Sequence, residues 1–426
     1  MTAVIPLAVP RLGGNEGRYV RECLDTEMVS SVGAFVTRFE REFAQFVGAR
    51  HAVACASGTA ALHVALRLAG AGQGFATNVD GLAAGEVLAV SDEDAVVPVS
   101  DFTFVASANA IRYCGAEPLL VDSEPATWNM HTELLHDRFV RRARMGRPLP
   151  AVIEVVHVLG HPAAMEPLLD LRLRYGVRIV EDAAEALGAS WRAGDLAGRH
   201  VGTVGDLGCF SFNGNKIMTT GGGGMITTDD AELAARARHL VTQAKLPGPG
   251  YVHDQIGYNY RLTNIAAAVG VAQLEQLPRF LAAKRRIAAR YADAFADLPV
   301  MLPPQAAWAA PTWWLYSVLL APDAGEPDRV VEQMAARGIQ ARPLWRPLHR
   351  QPPYRSAPRM GGFIADLIWQ RGLSLPCSVG LTDADQDRVI EALRSVLGSQ
   401  PRSSLAPART HSTAAHSTAA RREVRR

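Results

Sequence analysis

The residues able to carry chemistry gather around one lysine. The stretch 205–224 reads GDLGCFSFNGNKIMTTGGGG, and Lys216 is its only charged residue after Asp206. Burial lowers a lysine's pKa and turns its amine into a nucleophile for carbonyl chemistry. A solvated loop lysine is the ordinary alternative. Asp182 follows the apolar run Val177–Val180. Ser57-Gly58-Thr59 separates the apolar run HAVACA from a helical ALHVALRLAG. Free N–H groups and the helix dipole make such a turn an anion site, although an N-cap by Ser57 explains the same residues. Phe104 lies just past a further apolar run, Val96–Val99.

The elements that must position these residues follow from hydrophobic patterning. Strands are predicted at 51–56, 96–99, 117–121, 151–159 and 177–180, with helices over 61–70, within 101–114 and over 165–175. This β–α–β repetition marks an α/β fold with a mostly parallel sheet covered by helices. Ligands bind such sheets at the carboxyl ends of the strands, and Ser57, Phe104, His157, Asp182 and Lys216 all fall there. Phe35, Phe39, Phe43 and Phe46 recur near helical spacing and read as core. Residues 263–297 read as helical with a break at Pro278. A strand at 313–320 and helices at 328–337, 362–371 and 383–397 suggest a small α+β domain. The expected division is 1–245, a large domain; 246–398, an interdomain helix and the small domain; and 399–426, a disordered tail rich in Arg, Ser and Ala. Residues 70–95 read as irregular and glycine-dotted.

Composition narrows the class. The chain has 426 residues, net charge +2 and 48% hydrophobic residues, an ordinary balance that points to neither nucleic acid nor a membrane surface. Six arginines and one acid in 401–426 supply much of the surplus charge. The five cysteines are scattered without a CxxC pair, so no metal site or disulfide framework is predicted and a reducing, cytoplasmic setting is expected. No secretory leader or membrane span is legible. GAGQG at 70–74 follows a helix rather than a strand, which argues against a dinucleotide fingerprint.

A lone amine, a strand-end carboxylate, an anion-binding helix start and an aromatic face together match the needs of pyridoxal 5'-phosphate. Its aldehyde condenses with an amine, its pyridine nitrogen needs an acidic partner, and its phosphate needs N–H and hydroxyl donors.

The motifs SGTAAL (57–62), TFVASANAI (103–111), EDAAEALGA (181–189), SFNGNK (211–216), GGGGMITT (221–228) and GYNYRLTN (257–264) resemble, in order, those of the DegT/DnrJ/EryC1/StrS sugar-nucleotide aminotransferases. The likeness spans about residues 5–397 and is strongest to the LegC-type branch. It implies a fold-type-I transferase with a mixed, mostly parallel seven-stranded sheet. It further implies that Lys216 binds the cofactor covalently and shuttles protons, and that Asp182 pairs with the ring nitrogen and keeps a low pKa. Phe104 and Ala184 would flank the ring, and Ser57, Gly58, Thr59 and Ser211 would hold the phosphate. Asn259 and Arg261 would reach in from the second subunit of a homodimer.

The implied reaction aminates a nucleotide-linked 4-keto-6-deoxy hexose, expected to be the UDP-2-acetamido sugar, to the 4-amino sugar with L-glutamate as donor. A 3-amino-sugar transaminase and a catalytically silent cofactor-binding regulator are the alternatives. Three departures stand out: Gly222 replaces a usual glutamate, Glu185 a usual histidine, and residues 75–94 read as an insertion loop relative to the family. Arg342, Trp345, His349 and Trp313 are candidates for the sugar-nucleotide side.

Overall fold

The computed structural model describes residues 4–72 and 96–398. The insertion expected at 75–94 and the tail at 399–426 lie outside the described residues. Two amphipathic helices come first, α1 (Glu16–Asp25) and α2 (Ala34–Val47). Phe35, Phe39 and Phe43 on α2 are buried as their spacing predicts, while Phe46 is half-buried. Phe43 meets Phe210 and Phe212 with centroids 5.0 and 5.5 Å apart, which fixes α2 against the strand that precedes Lys216.

The α/β repetition then proceeds through β1 (His51–Cys55), α3 (Gly58–Ala69), β2 (Val96–Ser100), α4 (Ala106–Tyr113), β3 (Glu117–Val121), α5 (Thr132–Arg144), β4 (Val152–Val156), α6 (Glu166–Tyr175) and β5 (Arg178–Asp182). The short β6 (Ser190–Trp191), then β7 (Leu207–Ser211), β8 (Gly224–Thr228) and α7 (Ala231–Val241) complete this part. Five strands bond in the order β1-β8-β7-β5-β4. Among them β4, β5 and β7 are parallel, and β8 runs against both β7 and β1. The parallel pair β2–β3 lies beside β4. A five-stranded sheet with one reversed member, and the parallel β2–β3 pair packed beside it, thus stand where one mixed seven-stranded sheet was expected. Strands buried on both faces read as continuous apolar runs, which is why these segments were legible.

Helix α8 (Asn264–Ala294) runs unbroken for 31 residues, contrary to the break expected at Pro278. Proline removes one backbone donor and crowds the carbonyl four residues earlier. Here the buried face that includes Val271, Leu274, Leu277 and Leu281 holds the helix through that defect, and Pro278 itself faces solvent.

The C-terminal part comprises β9 (Val300–Met301), β10 (Ala309–Ala310), β11 (Tyr316–Leu320), α9 (Pro327–Ala335), β12 (Arg342–Pro343), β13 (Arg359–Met360), α10 (Ile364–Arg371), β14 (Gly372–Leu375) and α11 (Asp383–Leu397). An antiparallel sheet β12-β14-β11-β9 is its centre. It is tied back to the first part at several points. Strand β13 adds in parallel to β3, and β10 pairs with β6. Asp122, just past β3, accepts backbone N–H bonds from Gly362, Ile364 and Ala365 at 2.8–3.0 Å.

Candidate active site

The carboxyl ends of β1, β2, β5 and β7 converge on one cavity of about 310 Å³. The turn after β7 carries Lys216, whose N–H bonds the carbonyl of Asn213 at 3.0 Å. Its Nζ lies 3.8 Å from the ring centroid of Trp314. Desolvation lowers the Lys216 pKa, against the opposing pull of Glu185 and Asp182. A share of neutral amine, as a nucleophile and base requires, follows from that environment.

Asp182 ends β5 and is 4% exposed. Ser107 Oγ donates to it at 2.8 Å and the Ala184 N–H at 3.0 Å. Burial pushes its carboxyl up, and the Ala184 amide, Ser107 and Lys216 only partly counter this. The low pKa expected of Asp182 is thus not produced by the chain's own groups. A cation bound against it would be needed to draw it down.

The neighbouring Glu181 points to the opposite face, as alternate strand residues must. Burial alone would raise its pKa, but His157 and the amides of Gly205 and Gly202 hold it below the ordinary value. His157 Nε2 lies 2.9 Å from Glu181, and its Nδ1 accepts from the Ala163 N–H at 3.0 Å. His157, a strand-end candidate, is therefore occupied in the fold and does not line the cavity.

The turn expected to bind an anion is built by close approach. Ser57 Oγ caps α3 by accepting from the Ala60 N–H at 3.1 Å. A Cβ on Gly58 would sit 2.7 Å from Ser211 Cβ, and one on Gly224 would sit 2.4 Å from the Ser57 carbonyl oxygen. Glycine at both positions lets the α3 N-terminus meet the ends of β7 and β8. Ser57, Gly58, Thr59 and Ser211 all line the cavity there. Phe104, 53% exposed, and Ala184 line it as well. A Cβ on Gly222 would meet nothing within 4 Å, so the loss of the usual glutamate leaves open space on the wall.

Asn259 and Arg261 do not line the cavity of their own chain. Asn259 is exposed, and the Arg261 guanidinium lies 3.5 Å from Glu40. Arg342 and Trp345 do line the cavity. Trp313 and His349 do not, and Trp314 takes the place expected of its neighbour. Sequence reasoning also missed Ser107 and Asn215, which line the cavity. Ser107 lies in the stretch TFVASANAI, three residues past Phe104 and in the first turn of α4, so its position was the available signal. Glu185 lines the cavity too; its Oε2 accepts from the Leu159 N–H at 2.8 Å.

The donor set fits pyridoxal phosphate. A desolvated amine and a buried carboxylate share one cavity, and a capped helix start lies on its wall with glycine required at two close approaches. The fold and this site define a fold-type-I aminotransferase. The family model of the DegT/DnrJ/EryC1/StrS aminotransferase family matches residues 10–394, and the chain belongs to that family, whose members are pyridoxal-phosphate-dependent sugar aminotransferases. It is 41% identical to GDP-perosamine synthase of Caulobacter vibrioides over 92% of this chain and 98% of that one. It is 35% identical to GDP-perosamine synthase of Escherichia coli O157:H7 over 91% and 97%. The crystal structure of a DegT DnrJ EryC1 StrS aminotransferase from Brucella abortus superposes with TM-score 0.78 at 30% identity, covering 90% of this chain and 95% of that one. Among the described residues, no helix is long and apolar enough to cross a membrane.

Proposed function

We propose that the chain transfers an amino group from L-glutamate to C4 of a nucleotide-linked 4-keto-6-deoxy hexose. The observation that carries this reading is the convergence of Lys216 and Asp182 on one cavity beside the α3 N-terminus. The names of the two relatives favour a GDP-linked sugar over the UDP-2-acetamido sugar that the motifs suggested.

When bound, pyridoxal phosphate supplies an electrophilic carbon for the amine and an electron sink for the carbanion. Lys216 would hold the cofactor, then remove the Cα proton of glutamate and later deliver a proton to C4 of the sugar. Asp182 would keep the ring nitrogen protonated, with Ser107 and the Ala184 amide fixing its carboxylate. The α3 N-terminus and Ser211 would bind the phosphate, and Phe104 and Ala184 would confine the ring. Asn259 and Arg261 would complete the site from a second copy of the chain.

Lys216→Ala is expected to abolish turnover and the near-visible absorption of the loaded protein. The direct assay is product formation from glutamate with GDP-, UDP- and dTDP-linked 4-keto-6-deoxy sugars. Absence of product from all three would overturn the reading.

A further inference from the structure

Of the cationic side chains on the cavity wall, Lys216 faces Asp182 and Glu185, while Arg342 has no acidic partner among the described residues. Arg342 lies on β12, whose two residues pair with β14. It begins a strap, residues 342–349, whose first four residues line the cavity. At its other end the strap is fastened to Asp101, the residue after β2. The Leu348 N–H donates to the Asp101 carbonyl at 2.9 Å, and the His349 N–H to Asp101 Oδ1 at 3.0 Å. His349 Nδ1 lies 2.5 Å from Asp101 Oδ2. His349 Nε2 lies 3.3 Å from Asp366, which Arg350 grips with two bonds of 3.0 Å. Arg359 approaches Asp101 at 3.6 Å.

This fastening is buried where it meets the sheet: Asp101 is 0% exposed. It is also coupled to the cavity by packing. Trp345, mid-strap, contacts Phe102 and Phe104 with centroids 5.6 and 6.4 Å apart, and stacks on Trp314 at 6.1 Å and 23°. Phe102 and Phe104 follow Asp101 directly in the chain. The strap is therefore fastened at Asp101 and leans, through Trp345, on the two aromatics that follow it.

Arg342 is exposed at the cavity rim, where its guanidinium is open to an anion entering from solvent, and a diphosphate suits its planar fork. Resting on the proposed substrate class, we infer that Arg342 receives the diphosphate of the nucleotide sugar. Asp101 and His349 are positioning residues that hold the strap, and thus Arg342, in place. Neither lines the cavity, so their loss should bear on nucleotide binding before it bears on the chemistry at Lys216. A side chain held to the required geometry by a locked second layer binds better than one left loose.

The test uses the loaded full-length protein. GDP, UDP and dTDP are titrated by tryptophan fluorescence, since Trp314 and Trp345 border the site, and the glutamate half-reaction is followed by the near-visible absorption. Arg342→Gln and His349→Ala should each weaken binding of the preferred nucleoside diphosphate by roughly ten-fold, the scale of one lost charge-assisted contact. The glutamate half-reaction should lose much less than nucleotide binding in both, because Asp182 and Lys216 are carried by β5 and the turn after β7 and not by the strap. His349→Asn should restore most of the affinity, because its amide can still donate to Asp101. The double variant Arg342→Gln/His349→Ala should bind little worse than either single one, as expected when one residue acts through the other.

Full additivity in that cycle, unchanged affinity in His349→Ala, or parallel loss of the glutamate half-reaction would each overturn the inference alone. A wild-type protein that binds none of the three diphosphates would overturn the substrate reading together with it.

Discussion

At the scale of single residues, Glu185 separates this site from the family pattern most sharply. It lies in the cavity with Lys216, and burial raises its pKa from the ordinary 4.5 to about 7, although Lys216 and the Leu159 amide pull it down. A carboxyl whose folded pKa is raised binds its proton more tightly in the folded state. Its contribution to stability is therefore complete below about pH 4.5 and is lost as the pH rises through about 7. A Glu185→Gln variant keeps the acceptor for Leu159 but cannot ionise. Relative to that variant, wild type should lose up to roughly 3 kcal/mol between pH 5 and pH 8. Urea unfolding at both pH values measures this, and a difference that does not change with pH would refute it. Ionisation of Glu185 would also favour the protonated form of Lys216, so its charge bears on the base as well as on the fold.

At the scale of elements, Pro278 offers a direct probe of why α8 stays whole. Its ring forfeits one backbone bond on an exposed helix face while the buried face holds the helix. Pro278→Ala should restore that bond and stabilise the protein by about 2 kcal/mol, the helix penalty of proline less the entropy it removes from the unfolded chain. A thermal midpoint that falls rather than rises would show that the proline is accommodated without cost. The same contrast explains what could be read in advance. Strand ends at Asp182 and Ser211, and the start of α3 at Ser57, were legible because apolar runs and turn residues are local signals. Ser107 and Trp314 were not singled out, because their importance depends on partners 75 residues away for Ser107 and 99 for Trp314. Arg342 and Trp345 were legible only as residue types. Their place in the cavity is set by the Asp101–His349 contact across 248 positions, and no local pattern carries that. Proline in α8 misled because propensity is overridden by packing.

At the scale of the whole molecule, the cavity of one chain lacks two of the residues that the motifs assign to it. Asn259 and Arg261 lie off the wall, at the end of a stretch whose apolar side chains face outward. Tyr251 is 87% and Ile256 84% exposed, an unusual cost for a single chain in water and the kind of surface that an isologous dimer covers. If a second copy supplies Asn259, then Lys216→Ala and Asn259→Ala each damage a different half of a shared site. Purified separately, the first should be inactive and the second strongly impaired. Unfolded together and refolded as a mixture, half of the dimers should pair one chain of each kind. In such a dimer one site carries both substitutions and the other carries neither. Turnover should then recover to roughly a quarter of the wild-type value. Recovery to no more than the average of the two parents would mean that each chain builds its site alone, and Asn259 would lose the role assigned to it.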